Sequence, residues 1–422
     1  RTLLKGPPMT LPLARRWRIF LPFALGYFLS YLYRTINAVL APNLVADIGI
    51  DPSDLGLLTG AYFITFAAFQ LPLGVLLDRF GPRRIEAVLL TVAAAGALVF
   101  AHSHSLAGLV IGRGLIGFGV SACLMAAFKA FVLWFPKGQL PRVNGFQMAA
   151  GGLGALFATT PVEAALSVTD WRGVFTILGM LTLGVAGAIF FVVPEKENGS
   201  RDLSFEDPVR GIGTVFTSLA FWRIAPWTTL SQTTLLSIHG LWAGPWLRDV
   251  AGFDRAGVAA TLMLVSGAMV VSFVCLGTAA ERLSRRGIPP MRVAAAGMGC
   301  FAGVLLVILL EPIEWAVPVW ILFGFFGTSG ILPYAVLSQR FPAHLAGRAN
   351  TALNLLVFVA AFSAQWGMGA IIDRYPSTPT GGYAPAGYQA AFSTLLMLQV
   401  FTIAWYVAVG MVMRRRSGKA RI

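Results

Sequence analysis

Acid is what this sequence is short of: 18 Asp and Glu stand against 32 Lys and Arg in 422 residues. Charge of either sign is scarce, at 12% of residues against 57% hydrophobic, and the mean hydropathy is +0.74. That balance excludes a soluble globular domain and fits a chain whose solvent is lipid. The three cysteines, Cys123, Cys275 and Cys300, all fall inside apolar runs, so no disulfide framework or zinc cluster can be read from them and the redox compartment is left open. No metal-ligand spacing, nucleotide-binding motif or nucleophile–base arrangement is present, so neither an enzyme nor a cofactor is expected. A net charge of +14 would suggest nucleic acid in a soluble chain, but the positions of the basic residues point to a bilayer instead, and no nucleic-acid partner is expected. Residues Arg1 to Arg16 are charged and contain two adjacent prolines, without the short apolar segment of a signal peptide.

Long polar stretches are also missing, with one exception. Apolar runs of about 20 residues, the length that crosses a bilayer, recur at approximately 18–41, 54–77, 85–103, 106–135, 142–166, 172–193, 221–246, 257–280, 292–311, 315–338, 350–371 and 387–412. The exception, Pro194 to Gly213, is charged and turn-rich and divides the twelve spans six and six. The expected organisation is an N-terminal six-helix bundle over 1–193, a linker over 194–213 and a C-terminal bundle over 214–422.

Basic residues set the orientation. With the N-terminus inside, inner segments hold 25 of the 32 Lys and Arg and outer loops hold four, which puts both termini in the cytoplasm. Three remain within spans: Arg34, Arg113 and Lys129. A guanidinium at bilayer depth costs about 2.5–3.5 kcal/mol on insertion scales and faces a protein interior or a water-filled cavity with a partner. None of the 18 acidic residues falls near the middle of a span; the deepest are Glu163, late in span 5, and Glu86, at the start of span 3.

The two halves repeat. Trp17-Arg18-Ile19 opens span 1 and Trp222-Arg223-Ile224 opens span 7; GVLLDRFGPRR (Gly74 to Arg84) follows span 2 and GTAAERLSRR (Gly277 to Arg286) follows span 8. Phe135-Pro136 with Arg142 and Asn144 is matched by Phe341-Pro342 with Arg348 and Asn350. All three offsets lie between 203 and 206 residues, so the chain reads as two homologous bundles related by an axis along the membrane normal. The fold class is an all-α membrane protein of twelve transmembrane helices in two pseudo-symmetric six-helix bundles.

At this point the sequence resembles a known family. GVLLDRFGPRR is similar to the signature loop of the major facilitator superfamily, Gly-x-x-x-Asp-Arg-x-Gly-x-Arg-Arg, between spans 2 and 3. The resemblance implies a gating latch: Gly74 permits close helix approach, Asp78 caps or pairs at a helix end, and Arg79 and Arg83 bind acidic groups or lipid phosphate, with Glu281 and Arg282 as the second copy. Arg113 in RGLIGFG resembles the superfamily's span 4 motif, linked to conformational or proton coupling. Tyr31-x-Tyr33-Arg34-x-x-Asn37 with Ala41-Pro42 is similar to span 1 of the organic-anion branches, the organophosphate:phosphate antiporters and anion:cation symporters, where the Arg binds the substrate's anionic group. Tyr33 stands where the symporters commonly have Asp, which puts proton symport by a first-span carboxylate in doubt. A monomer in a bacterial inner membrane is the expected setting.

Arg34 therefore leads the candidate site, its partner the cargo rather than a resident acid. Tyr27, Tyr31 and Arg34 recur at helical spacing. Lys129 lies seven residues before Pro136, about 10 Å from the inner end of span 4; it either snorkels to the interface or supplies a second cation. His239 is the counterpart of Arg34 at the repeat offset and is also a candidate proton carrier; Gln232, His239, Trp242 and Trp246 are spaced to share one face of span 7. Asn354 and Gln365 in span 11 are candidate cavity-lining amides, with Tyr62 and Gln70 in span 2 as lesser candidates. Coupling could fall on His239 or Glu163, or anions could exchange with no proton. The reading is a secondary transporter for a small organic anion, a carboxylate or phosphate ester, by alternating access with protons or a counter-anion. The alternative is a proton-coupled efflux pump for lipophilic or cationic drugs, which needs acids in the cavity; a non-transporting sensor on the same fold is a third class.

Overall fold

The computed structural model describes residues 13–135, 140–195, 213–311, 313–341, 343–378 and 382–419, and all regular structure in them is helical. Lipid leaves a backbone no water to bond, so each span closes its own hydrogen bonds. Among the described residues twelve helical rods follow one another. The first is α1 (Leu13–Thr35) and α2 (Asn37–Ile48), bent by 48° at Ile36. Then come α3 (Pro52–Phe80), α4 (Pro82–His102), a fourth rod of α5 (Leu106–Gly119) and α6 (Cys123–Trp134), a fifth of α7 (Leu140–Phe157) and α8 (Thr160–Ala165), and α9 (Trp171–Val192). The seventh joins α10 (Leu219–Ser237), a π turn (Ile238–Trp242) and α11 (Ala243–Asp249). It is followed by α12 (Arg255–Arg285), α13 (Pro290–Leu309), a tenth rod of α14 (Ala316–Gly327), a 3₁₀ turn (Thr328–Ile331) and α15 (Leu332–Arg340), then α16 (Ala343–Ile372) and α17 (Pro385–Lys419). The rods coincide with the twelve expected spans and overrun several of them at their ends.

Among the described residues, eight rods are long and apolar enough to cross a membrane and the bent first pair makes a ninth. Polarity inside the seventh rod is turned inward: Thr228, Thr229, Ser231, Thr233 and Thr234 of α10 are all buried. Apolar side chains are turned outward, Phe191, Phe401 and Val274 among them, as lipid contact requires.

Small residues let backbones meet. The Cβ of any side chain at Gly154 of α7 would strike the carbonyl of Phe28 on α1, and one at Gly244 of α11 would strike that of Ala38 on α2. Between the N-terminal set (α1–α9) and the C-terminal set (α10–α17), α3 runs along α16, with the rings of Phe63 and Phe66 at 5.8 and 4.2 Å from Phe358. At the end of the bundle where α12 begins the sets are also tied by charge. Arg255 Nε lies 2.7 Å from Glu163, and Arg255 Nη2 donates to Asn43 at 2.5 Å.

At the opposite end, where α4 begins, the expected latch takes another form. Arg83 and Arg84 both pair with Glu195, just beyond α9, and Arg83 also donates to the carbonyl of Val193. The contacts tie α4 to the exit of α9 within one set. Among the described residues nothing lies within 4 Å of where a Cβ on Gly74 would stand. Arg79 and Arg282 are exposed, Arg79 against the ring of Phe80. The side chains of Asp78 and Glu281 lie outside the described residues, as do linker residues 196–212.

Replacing Gly154 by Val is expected to cost about 1–3 kcal/mol, because the clash is with backbone that cannot turn aside. The same change at Gly184, where a Cβ meets nothing within 4 Å, should stay within about 0.5 kcal/mol. Thermal unfolding of the two variants in detergent checks the difference.

Candidate functional site

Two of the candidates converge. A cavity with about 30 Å³ of room for the centres of water molecules is lined by Tyr31, Arg34 and Thr35 of α1, Gln232 of α10 and His239 and Gly240 of the π turn. Met269 and Phe273 of α12 and Thr328 of the tenth rod's 3₁₀ turn close it. Volumes above about 10–15 Å³ on this measure hold a water, so the space admits solvent and must widen to admit a larger guest. Arg34 and His239, paired by the repeat, face one cavity from opposite sets.

Arg34 is buried, and among the described residues no carboxylate pairs with it. Its guanidinium instead sits among four rings, 4.4 Å from Tyr31, 5.3 Å from Phe358, 5.4 Å from Phe66 and 5.9 Å from Tyr62. Aromatic faces stabilise a desolvated cation by about 0.5–2 kcal/mol apiece. Together they reach the scale of the insertion cost without cancelling the charge. The cage holds a cation in place and leaves it a cation.

The bend beside Arg34 has an identifiable support. Arg113 of α5 is fully buried, and its Nη1 donates to the carbonyl of Tyr33 at 2.9 Å, three residues before the break at Ile36. A side chain bonded into a helix's carbonyl ladder is one of the recognised companions of a sharp kink. The ring of Tyr62 lies 5.3 Å from the Arg113 guanidinium and so serves both arginines. Its hydroxyl donates to the carbonyl of Ser30 at 3.1 Å. A span 2 residue ranked low in the sequence thus joins the span 1 and span 4 arginines.

His239 stands in the π turn, a wider turn than the α-helix and one found most often at functional sites. Its Nε2 is 3.4 Å from Ser266 Oγ. The π turn also changes which residues share a face. Gln232 and His239 reach the cavity, but Trp242 packs 6.3 Å from the Tyr383 ring and Trp246 5.4 Å from Trp320, so the expected common face of four is split after His239.

The remaining candidates have their own surroundings. Tyr27 stacks edge-on against Tyr31 and donates to the sulfur of Met148. Lys129 is half-buried on α6 and is not among the cavity-lining residues. Asn354 donates to Gln70 across the two sets at 3.3 Å and accepts from Tyr334. Gln365 is fully buried beside Gly240, within 3.4 Å of where a Cβ there would stand. Glu163 is already engaged by Arg255, so an acid that looked deep in the sequence is one side of a bridge between the sets. Around the cavity, Arg34 Nε, His239 Nδ1 and both amide atoms of Gln365 are buried without hydrogen-bond partners among the described residues. Orphaned buried polar atoms are rare enough that a cluster needs an explanation.

A polytopic helical membrane protein with a charged cavity between two helical sets is the class these features define. The sequence pattern of the Major Facilitator Superfamily matches residues 23–365, and the chain belongs to that family. Over 275 residues it is 26% identical to the probable sulfoacetate transporter SauU of Cupriavidus necator, covering 62% of this chain and 64% of that one. Over 260 residues it is 25% identical to the hexuronate transporter of Escherichia coli K12, covering 58% and 60%. The matched stretch spans less than two thirds of either relative. The fold resembles that of a bacterial homologue of the human lysosomal transporter Spinster, solved inward-facing and occupied, with a TM-score of 0.75, 16% identity and coverage of 95% of this chain and 98% of that one. Relatives and fold are those of transporters, not enzymes.

Tyr62 gives a two-part test of the arginine pair. Tyr62→Phe removes one neutral hydrogen bond and is expected to cost about 0.5–1.5 kcal/mol. Tyr62→Leu also removes the ring facing both guanidiniums and should cost about 0.5–2 kcal/mol more. Thermal midpoints of the purified variants give the order, and equal losses would remove the shared ring from the account.

Proposed function

We propose that this protein is a secondary transporter that carries a small organic anion, a carboxylate, sulfonate or phosphate ester, through a cavity between its two helical halves. The observation that carries the reading is Arg34, a buried guanidinium caged by rings and unanswered by any described carboxylate, on the wall of a cavity shared with His239. A planar fork of donors suits a carboxylate or phosphate geometrically. The orphaned Gln365 amide supplies further hydrogen-bonding groups beside Gly240 for hydroxyls of the guest. Tyr27, Lys129, Asn354 and Trp242 belong to an outer ring that meets the substrate only if the halves rearrange. The relatives named for sulfoacetate and hexuronate support the anionic class.

Alternating access follows from rocking of residues 1–193 against 214–422, with both termini on the cytoplasmic side of a bacterial inner membrane. On that orientation the Arg255–Glu163 bridge holds the outer side shut and must part for the outward-open state.

Counterflow in proteoliposomes tests the cargo class with labelled galacturonate, sulfoacetate, a sugar phosphate and the hydrophobic cation tetraphenylphosphonium. Exchange of at least one anion and not of the cation is expected, and the reverse pattern would establish the drug-efflux alternative. Arg34→Gln should abolish the exchange. Arg34→Lys keeps the charge without the fork and should lower it by about tenfold or more, the equivalent of losing ~1.4 kcal/mol.

A further inference from the structure

Glu86 is the buried acid that the cavity does not use. It stands on α4, four residues inside Pro82, and is completely buried. Its carboxyl rests against Gly26 of α1, where any Cβ would come within 2.5 Å of Oε1, so the absence of a side chain there makes its room. From α6 the titratable group facing it is the thiol of Cys123, the first residue of that helix; from α1 it meets Gly26, and on α4 itself Leu90 follows one turn on. Among the described residues neither carboxyl oxygen has a nitrogen or oxygen partner.

The isolation separates Glu86 from other acids near the helix ends. Asp47 pairs with Arg172, Glu163 with Arg255, Glu195 with Arg83 and Arg84, and Asp249 with Arg248. A carboxylate in apolar surroundings without a cation is costly, whereas the neutral acid is tolerated. An ionisable side chain within a span, with a thiol beside it and no cation among the described residues, points to function.

Its position links it to the moving parts. Gly26 lies eight residues before Arg34 on α1, about 12 Å along the axis at 1.5 Å per residue. Cys123 opens α6 directly after the break at 120–122, in the rod that carries Arg113. Glu86 thus touches the two interrupted rods on which both buried arginines sit. A shift about either break changes what surrounds its carboxyl.

We propose that Glu86 is the proton-binding group that couples this transporter to a proton gradient. A carboxylate oxygen takes one proton from water on one side of the membrane and returns it to water on the other as α1 and the fourth rod move. The cargo half of this inference rests on the anion reading above; the proton half does not.

Infrared difference spectra of the reconstituted protein across a pH titration read the carboxylic-acid C=O stretch without any substrate. Wild type is expected to show a titrating protonated-carboxyl band that Glu86→Gln lacks. A band that persists in Glu86→Gln, or is missing from wild type, overturns the proposal. With labelled galacturonate and sulfoacetate as probes, the pH dependence of exchange should vanish in Glu86→Gln, together with accumulation driven by an imposed pH gradient; accumulation equal to wild type also overturns it. If Glu86→Gln fails to elute as a folded species, Glu86→Asp carries the test, keeping the band and displacing the pH profile, whereas an unmoved profile counts against the proposal. Should wild type exchange neither anion, the anion reading falls while the infrared band still decides Glu86.

Discussion

The cost of a guanidinium in a low-dielectric interior organises this protein. Arg34 carries its charge to a depth where insertion alone costs about 2.5–3.5 kcal/mol, and the fold answers with aromatic faces rather than with an acid. Four rings from α1, α3 and α16 surround it, so both helical sets contribute to one cage. An acid would have neutralised the charge locally. Rings stabilise it without cancelling it, so a buried Arg can persist in a chain that is short of acid.

Interruptions in the helices are the second recurring device. The first, fourth, seventh and tenth rods are broken well inside their lengths, at Ile36, at 120–122, over Ile238–Trp242 and over Thr328–Ile331; the fifth breaks nearer its far end. Three of those four breaks lie at or beside cavity-lining residues: Arg34 and Thr35, His239 and Gly240, and Thr328 and Ile331. The fourth rod instead sends Arg113 to the carbonyl of Tyr33 and sets Cys123 beside Glu86. Irregular backbone at membrane depth is tolerated where it is buried or lines a cavity, and here it gathers around the charged groups.

Much of this was legible without a structure. Hydropathy marked twelve spans, and matching motifs at a nearly constant offset paired Arg34 with His239, which do face one cavity. Other readings failed for local reasons. An ideal helical wheel placed Trp242 and Trp246 on the face of His239, but the π turn changes the register at that point, and no side-chain pattern announces a π turn. Gly74 was read as a close-packing residue from its motif, and among the described residues no atom lies within 4 Å of where its Cβ would stand. Glu86 could be located at the start of a span, yet its complete burial depends on Gly26 and Cys123, residues 60 positions before it and 37 after it.

What the sequence determined by itself was the solvent, the run of helical rods and which cations lie within them. These follow from composition and from periodicity along one chain, quantities that need no partner. Only tertiary structure decided what surrounds each charge. Three of the four rings around Arg34, the arginine holding Glu163 and the thiol beside Glu86 all come from other helices. Electrostatic cost depends on the few ångströms around a group, and in a bundle those ångströms belong to other helices.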